Sequence, residues 1–349
     1  MSVSKGRLST MADVAASVGA SSRDVALVLA ADGRVPSELR GRIAQEIEAT
    51  RYRPFEVVQG QLGRPLRLAI VLKSYRRDDP AENRFYDPIA AAIAVSCAQQ
   101  EIEIVQAMMS VDEHCQLLEV PAALADGSCD GALLIGAQLN SETIEQVRSG
   151  VCPFVLVDGY SAGDVLDSVV TDNVAGGTIA VQHLVAAGHS EIGLLGTEPD
   201  SYPSILGRRK GYASALEKLG LRPHFIDTGY AVEAAAVLGV YYIGQHSEVT
   251  AVFGVNDVTT VTFMQAARDA GYHLPADISL VGFDDIDLAS LVMPALTTLA
   301  IDKALMGRAG LALLAHRLEA RAAEPIEAVV MPRLVERESV VPPSDRPIR

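Results

Sequence analysis

The apolar residues near the start of the chain recur with the period of two short helices. The first set lies at i, i+3, i+4 and i+7 and consists of Met11, Val14, Ala15 and Val18. Gly19 interrupts this pattern where a tight turn needs positive φ, and Ser21 can form a capping box with Asp24 at the next helix. The apolar positions of that helix are Val25, Val28 and Leu29. Two short helices around a glycine turn predict a helix-turn-helix, whose second helix enters the major groove of DNA; the alternative is an ordinary helical hairpin.

A third helix and a short boundary segment follow this pair. Residues 35–38 (Val-Pro-Ser-Glu) end a loop and start a helix whose inward positions are Leu39, Ile43 and Ile47. Residues 59–65 (QGQLGRP) are short, polar and glycine-containing, as is typical of a boundary between domains. The chain is therefore predicted to begin with a small helical domain.

Beyond this boundary, apolar runs of strand length alternate with segments of helical length. The predicted strands are 68–72, 102–106, 132–135, 154–157, 169–171, 192–195, 251–255 and 279–282. The predicted helices include 88–100, 112–125, 176–187, 208–219 and 258–270. Such alternation is typical of parallel sheets with right-handed crossovers. Because so many strands are expected to split into two sheets, and the pattern restarts near residues 164–168, the sequence predicts two α/β lobes with a cleft between them.

The distribution of charge adds to this picture. The chain has 349 residues, of which 49% are apolar, and a net charge of −15. Residues 1–67 contain ten lysines and arginines against seven aspartates and glutamates, a balance of +3 that leaves −18 on the remainder. A basic N-terminal domain on an acidic body is typical of a protein that faces phosphates with one end only.

The cysteines and the apolar runs bear on the compartment. The four cysteines show no C-x-x-C pairing and are Cys97, Cys115, Cys129 and Cys152. The N-terminus has no apolar export segment, and no run approaches the ~18 apolar residues of a membrane span. We therefore expect reduced core thiols in a protein of the bacterial cytoplasm, with no membrane partner.

Polar residues follow directly after several predicted strands. Ligands of open parallel sheets bind beyond the carboxyl ends of the strands, so these residues are the first candidates for a binding site. Asp158, Asn256 and Asp284 come first after their strands and are expected to face the cleft. Asp257 and Asp285 come second and are predicted to be helix N-caps.

Seven motifs stand in a fixed order along the chain. The N-terminal one runs from Thr10 through Asp13-Val14-Ala15 and Gly19 to Ser21, followed by Tyr52-Arg53-Pro54. Six motifs lie in the body. The first is Asn83-Arg84-Phe85-Tyr86, and the second is discontinuous and consists of Asp172-Asn173, Gly176-Gly177, His183-Leu184, Gly188-His189 and Ile192. The other four are Arg208-Arg209-Lys210-Gly211-Tyr212, Asn256-Asp257, Gly282-Phe283-Asp284-Asp285 and Pro294-Ala295-Leu296-Thr297-Thr298. In sequence and spacing they resemble the lactose/galactose repressor (LacI/GalR) family over nearly the whole chain. The resemblance implies a helix-turn-helix headpiece followed by a body like the periplasmic binding proteins.

The resemblance also implies a set of effector contacts. Arg208, Asn256 and Asp284 offer convergent donors and acceptors for hydroxyls or a heterocycle. The further candidates are Asp158, Ser204, Tyr230, and Phe85 or Tyr86, although each aromatic residue could instead be core. His183 and His189 are expected to make structural hydrogen bonds, and we expect neither a metal nor a cofactor. A sugar suits these residues best, and a nucleobase fits almost as well.

The resemblance implies DNA contacts in the headpiece and the segment after it. The residues concerned are Thr10, Ser21, Ser22, Arg23, Leu27, Arg34, Tyr52, Arg53, Gln59, Gln61 and Leu62. Several of the family's usual DNA contacts are replaced here: the replacements are Asp24, Ala26, Leu27, Ala30, Leu39 and Gln61, with Leu62 one residue late for the hinge leucine. Arg23 therefore becomes the main candidate for reading bases, whereas Asp24 is expected to serve the start of its own helix. We therefore predict that the headpiece has the family's fold but binds an operator that differs from the family's usual one.

These observations favour an effector-controlled transcriptional repressor that binds a palindromic operator as a dimer. The alternative is a cytoplasmic small-molecule sensor whose headpiece has lost specific DNA binding. An enzyme is not expected, since the sequence has no dinucleotide fingerprint, P-loop or nucleophile elbow. The predicted tail lacks an apolar heptad for a tetramer seam. The predicted domains are a headpiece (1–56), a hinge (57–66), lobe 1 (67–166 and 300–328), lobe 2 (167–299 and 329–341) and a tail (342–349).

Overall fold

The computed structural model describes residues 9–75, 84–112, 117–149, 152–163, 165–229 and 231–343. The chain forms two compact units. Unit 1 consists of Met1–Val170 and Asp302–Val330, and unit 2 consists of Thr171–Ile301 and Met331–Arg349. The first crossing between the units therefore lies four residues after the predicted end of lobe 1 at residue 166.

Unit 1 begins with three helices, α1 (Met11–Ser17), α2 (Ser22–Leu29) and α3 (Ser37–Thr50), which we call the headpiece. The predicted capping box of α2 is present: the Ser21 hydroxyl accepts from the Asp24 N–H at 3.1 Å, and the Asp24 carboxylate accepts from the Ser21 N–H at 2.9 Å. Thr10 caps α1 in the same way. Gly19 has φ +64° in the turn between the first two helices, as its position in the pattern predicted.

The residues predicted as a hinge form a fourth helix, α4 (Glu56–Leu62). Its apolar side is buried through Val57 and Val58, whereas Gln61 and Leu62 are exposed. Gly63 ends the helix with φ +67°, a conformation that glycine adopts without the steric cost of a side chain.

The body of unit 1 is a six-stranded sheet in the order β13-β7-β5-β3-β1-β2. The pairs formed by β1, β2, β3, β5 and β7 are parallel. Its strands are β1 (Arg67–Tyr75), β2 (Glu103–Val111), β3 (Gly131–Ile135), β5 (Phe154–Val157), β7 (Ser168–Thr171) and β13 (Glu327–Val330), with the short pair β4 (Gln138–Leu139) and β6 (Tyr160–Ser161) beside it. The helices are α5 (Asp87–Ala98), α6 (Ala122–Ala125), α7 (Ser141–Ser149) and α13 (Lys303–Glu319).

Unit 2 contains a second six-stranded sheet in the order β14-β12-β11-β10-β8-β9. All of its pairs are parallel except β12 with β14. The strands are β8 (Ile192–Thr197), β9 (His224–Asp227), β10 (Ala251–Gly254), β11 (Ser279–Asp284), β12 (Thr297–Ala300) and β14 (Arg333–Val335). The helices are α8 (Asn173–Ala186), α9 (Pro203–Leu219), α10 (Val232–Gln245), α11 (Asp257–Asp269) and α12 (Asp287–Leu291).

Two predictions about this body differ from the structure. The helix predicted over 112–125 is absent: β2 continues to Val111, residues 113–116 lie outside the described residues, and only the short α6 follows. The apolar residues of that stretch fill the core under the sheet instead, as the buried Leu117 and Leu124 do. The strand at Ser168–Thr171, predicted to start lobe 2, belongs to the sheet of unit 1.

The cysteines and the helix lengths bear on the expected compartment. Cys97, Cys129 and Cys152 are buried free thiols, and burial raises the pKa of Cys97 and of Cys152 to about 12. Cys115 lies outside the described residues. Within the part of the chain that the structure describes, no helix has both the length and the apolar character needed to cross a membrane.

The N-terminus of α11 corrects a prediction about its cap. Asn256 is the N-cap, since its side-chain oxygen accepts from the Thr259 N–H at 2.8 Å. Asp257 lies one residue later, fully buried, and accepts from the Thr298 hydroxyl at 2.6 Å and the Ile286 N–H at 2.9 Å. Burial, reinforced by the negative charge of Asp284, raises the pKa of Asp257 to about 7. The aspartate therefore ties α11 to the loop after β11 and to β12.

Two glycines set the distance between α8 and α9. A Cβ on Gly211 would lie 2.1 Å from the carbonyl oxygen of Val174, and a Cβ on Gly177 would lie 2.3 Å from that of Arg208. Both contacts are with backbone, so neither can be relieved by turning a side chain. The helices lie this close only because both positions lack a side chain.

We predict that Gly211→Ala destabilises unit 2 by at least about 2 kcal/mol, because the new methyl group forces the two helix backbones apart. Gly244→Ala is the control, since its Cβ would meet only the Tyr272 hydroxyl at 3.7 Å. Urea unfolding should show a loss for the first variant and none for the second. Equal stability of the two variants would contradict the close approach.

We also predict a pH dependence from Asp257. Its carboxyl binds a proton more tightly in the folded state than in the unfolded chain, where its pKa is near 3.8. The unfolding free energy should therefore fall as pH rises towards about 7, by up to about 1.4 kcal/mol per pH unit, and level off above it. Asp257→Asn should remove this fall, whereas Asp269→Asn at the exposed end of α11 should keep it. Urea unfolding between pH 5 and 8 measures the difference, and parallel curves for the two variants would rule it out.

Candidate functional site

Unit 2 holds a buried arginine at the carboxyl ends of its strands. Arg208 lies on α9, and the residue is only 6% exposed. Its Nε donates to the Asn173 side-chain oxygen at 2.9 Å, Nη1 to the Val255 carbonyl oxygen at 2.5 Å, and Nη2 to the Asp284 carboxylate at 3.3 Å. The centre of the Phe283 ring lies 3.7 Å from the guanidinium carbon, which is a cation–π contact. We call Asn173, Arg208 and Asp284 the unit 2 polar group; Asn256, also predicted as an effector contact, caps α11.

The backbone at the strand end directs these side chains. Asp284 has φ +106°, a strained conformation for a residue with a side chain, and the next residue, Asp285, has φ +49°. The predicted cap role of Asp285 is wrong: its carboxylate pairs with Arg337 at 2.6 Å, and α12 begins after Ile286. Strain of this kind persists where surrounding contacts over-determine it and concentrates at binding sites.

Unit 1 has a comparable group after its own strands. Asp158, which is 4% exposed and has φ +48°, accepts from the Tyr86 hydroxyl at 3.0 Å. The Lys73 ammonium lies 4.7 Å from the centre of the Tyr86 ring, and Phe85 meets the same ring edge-on at 5.1 Å. Gly136 permits this packing, since a Cβ there would lie 2.8 Å from Tyr86. We call Lys73, Phe85, Tyr86 and Asp158 the unit 1 polar group.

The structure thus joins some predicted effector residues and leaves others aside. Asp284 and Arg208 are paired, and Ser204 is buried near the start of α9. Tyr230 lies outside the described residues, as does Asn83 of the motif that contains Phe85.

Two members of these groups were not predicted. Lys73 stands at the end of the apolar run of β1, and Asn173 follows Asp172 after β7. The signal was available for both, because each is a polar residue near the end of an apolar run. Their partners, Tyr86 and Arg208, are distant in sequence, and only the fold brings them together.

Six of the residues predicted to contact DNA fall into two sets. Ser22 is half-buried and Arg53 is exposed. The second set bonds to the body of unit 1: Arg23 donates to the Pro325 carbonyl oxygen, Arg34 to that of Glu327, Tyr52 to the Glu319 carboxylate and Gln59 to the Gln100 carbonyl oxygen.

His189 makes the structural hydrogen bonds that were predicted for it. Nδ1 bonds the Thr250 hydroxyl at 2.8 Å, and Nε2 bonds the Val341 carbonyl oxygen at 2.9 Å. Burial lowers the pKa of this histidine, which favours the neutral ring. His183 is half-buried on α8.

One group among the described residues has the spacing of metal ligands. The ligand atoms of His224, His246 and Glu248 lie within 4.8 Å of one another. His224 is buried, with Nε2 bonded to the Glu191 carboxylate at 2.6 Å and Nδ1 bonded to the Tyr242 hydroxyl at 3.1 Å. Both ring nitrogens are thus matched by protein groups, and the geometry does not call for a metal.

Comparison with known proteins gives matches along nearly the whole chain. Residues 181–340 match the periplasmic binding protein-like domain. The ribose operon repressor of Haemophilus influenzae is 28% identical over 337 residues, which are 95% of this chain and 99% of that protein. The transcriptional repressor PurR of Yersinia enterocolitica is 26% identical over 352 residues, which are 98% of this chain and 99% of that protein.

A solved structure is similar over the same extent. The lac repressor dimer bound to operator and the anti-inducer ONPF has a TM-score of 0.66 and 22% identity, and the match covers 95% of this chain and 99% of that one. This likeness bears on the fold, whereas the relatives and the ordered motifs bear on the family. Taken together, they show that the chain is similar over nearly its whole length to transcriptional repressors of the LacI/GalR family.

Proposed function

We propose that this protein is a transcriptional repressor that binds operator DNA as a dimer and responds to a small-molecule effector. The observation that carries the proposal is the unit 2 polar group: a buried arginine paired with a half-buried carboxylate at the carboxyl edge of a parallel sheet. The same chain begins with a capped helix-turn-helix. Its relatives are named as repressors, so it is a regulator and not an enzyme. Its place of action is the cytoplasm, where operator DNA is found.

The effector class follows from the chemistry of each polar group taken by itself. The Asp284 carboxylate accepts hydrogen bonds and the Arg208 guanidinium donates them, which together match neighbouring hydroxyls of a sugar. Phe85, which is half-buried, offers an aromatic ring of the kind that packs on the face of a sugar. A relative carries the name ribose operon repressor, in agreement with this choice. A nucleobase is the second candidate, and Tyr230 stays a predicted stacking residue for either.

Control then requires that the effector bind two conformations of the protein unequally. A ligand shifts an equilibrium only by its difference in affinity for the two states. The strained backbone at Asp158 and Asp284 is suited to such a difference, because ligand contacts can change the cost of the strain. Reciprocity requires that operator DNA change effector affinity by the same factor.

The second candidate function is a small-molecule sensor without specific DNA binding. It is favoured by the replaced recognition residues, of which Asp24 is held in the capping box and Leu27 is apolar. An apolar side chain at that site can contact a thymine methyl group but cannot form a bidentate base contact. Retained Arg23, Arg34 and Arg53 favour the repressor.

We predict that Asp284→Asn weakens effector binding by on the order of 2 kcal/mol, because it removes the charged partner of the buried Arg208 guanidinium. Asp285→Asn is the matched control, since its carboxylate faces Arg337 instead. Pentoses, hexoses and nucleobases are screened by thermal shift, and calorimetry then compares the best ligand on both variants. Unchanged affinity in Asp284→Asn would remove this residue from the site.

We further predict a half-site unlike the family's common one, bound through many phosphate contacts and steeply weakened by salt. Arg23→Ala should relax the base preference, whereas Arg53→Ala should weaken binding about equally on all sequences. Selection from a random duplex pool, repeated with both variants, measures this. If the wild-type protein enriches no sequence at low salt, the sensor takes the place of the repressor.

A further inference from the structure

The body of unit 1 presents one surface that holds the headpiece. It consists of the end of α13, the residues after it and the edge strand β13. We call it the docking face and define it by Glu319, Pro325, Glu327 and Val329. Each of these residues accepts or donates a hydrogen bond across to the headpiece or the residues just after it.

Both carboxylate oxygens of Glu319 are used in this way. Oε2 accepts from the backbone N–H of Met11 at 2.9 Å, and Oε1 accepts from the Tyr52 hydroxyl at 2.5 Å. The N–H of Met11 belongs to the first turn of α1, where backbone donors have no acceptor within the helix. Burial raises the pKa of Glu319, while these two hydrogen bonds oppose the rise. One side chain of the body thus fixes both the start and the far end of the headpiece.

Two further hydrogen bonds join the headpiece to the edge of the unit 1 sheet. β13 is the outermost strand, so its outer backbone groups face no other strand of that sheet. The Asp32 carboxylate accepts from the Val329 N–H at 2.9 Å, and Arg34 donates to the Glu327 carbonyl oxygen at 2.6 Å. Residues two apart on a strand direct their groups to the same edge, and exposed edge groups readily take a new partner.

Asp32 shows how closed this contact is. The residue is 0% exposed, and its carboxylate also accepts from Arg34 Nη2 at 2.7 Å. Burial alone would raise the pKa of Asp32, but the hydrogen bonds from Arg34 and Val329 lower it below its usual range. Burying a charged carboxylate costs free energy unless hydrogen-bond donors surround it, and the Val329 N–H of the body is one of these donors.

The recognition helix is itself covered. α2 packs against α13, and Arg23 at its exposed front donates to the Pro325 carbonyl oxygen at 3.0 Å. Arg23 is the residue expected to read bases. Its guanidinium cannot bond the Pro325 carbonyl oxygen and reach a base edge in the major groove at the same time. The docked headpiece and a groove-bound headpiece exclude each other.

We propose that the docking face is a binding surface for the chain's own headpiece and competes with DNA for α2. The inference rests on the proposed DNA-binding function. It adds that apparent DNA affinity is the intrinsic affinity multiplied by the fraction of headpieces that are undocked. Weakening the docking face must then strengthen DNA binding, although the face itself never touches DNA.

The test uses the full-length protein with changes on the body only. Glu319→Ala removes the double acceptor, and Val329→Pro removes the donor to Asp32 at an outward position that an edge strand tolerates. Glu324→Ala, an exposed glutamate beside the docking face, controls for loss of negative charge near phosphates. Hydrogen exchange without DNA is followed in α2 and β13. DNA affinity is measured on a random-sequence 30-base-pair duplex (about three helical turns) at low salt and on any duplex that the wild type selects.

Both docking variants should exchange faster than the control in α2 and β13, and should bind DNA at least about fivefold more tightly. Unchanged exchange in both variants would overturn the docking. Faster exchange with unchanged DNA affinity would overturn the competition. If the wild type and every variant fail to bind either duplex, the proposed function fails and the competition with it, while the exchange data still decide whether the headpiece docks.

Discussion

The guanidinium of Arg208 lies largely out of contact with water, and a buried charge is tolerated only where its donors have partners. Three elements of unit 2 supply them: α8 through Asn173, the residue after β10 through the Val255 carbonyl, and β11 through Asp284. Helices α8 and α9 can deliver these groups because glycines let their backbones approach closely. The close packing of α8 against α9 is therefore what holds the unit 2 polar group together. A ligand that contacts Arg208 or Asp284 also acts on the packing of α8 against α9.

The headpiece faces the same physical requirement at the other end of the chain. Asp32 is buried with its charge, and part of its match comes from the body through Val329. Polar contacts that hold a headpiece reversibly are better suited to control than a large apolar interface, since water and phosphates can replace each partner on release. DNA affinity in such a protein depends on two equilibria, one at the effector site and one at the docking face. Either can be changed by evolution without altering a DNA contact.

Much of the fold was predictable because its signals are local. Helix period, a capping box and the glycine turn identified the helix-turn-helix, since each depends on residues within four positions of one another. The alternation of apolar runs identified the parallel sheets. The helix predicted over 112–125 was wrong because apolar residues at helical spacing also suit an irregular segment that lines a core, as Leu117 does. Asn256 rather than Asp257 caps α11, because the fold buries the Asp257 carboxylate away from the start of the helix.

The sequence by itself determined the order of elements, the capped headpiece and the polar residues at the strand ends, because backbone hydrogen bonding and side-chain period act over a few residues. Only the tertiary structure decided the partners of those polar residues. Arg23 meets Pro325 and Asp32 meets Val329, pairs separated by about three hundred positions. No local pattern encodes such pairs, since they depend on how the last strand of the unit 1 sheet returns beside the headpiece. These long-range contacts, and not the composition of α2, decide whether the recognition helix is covered.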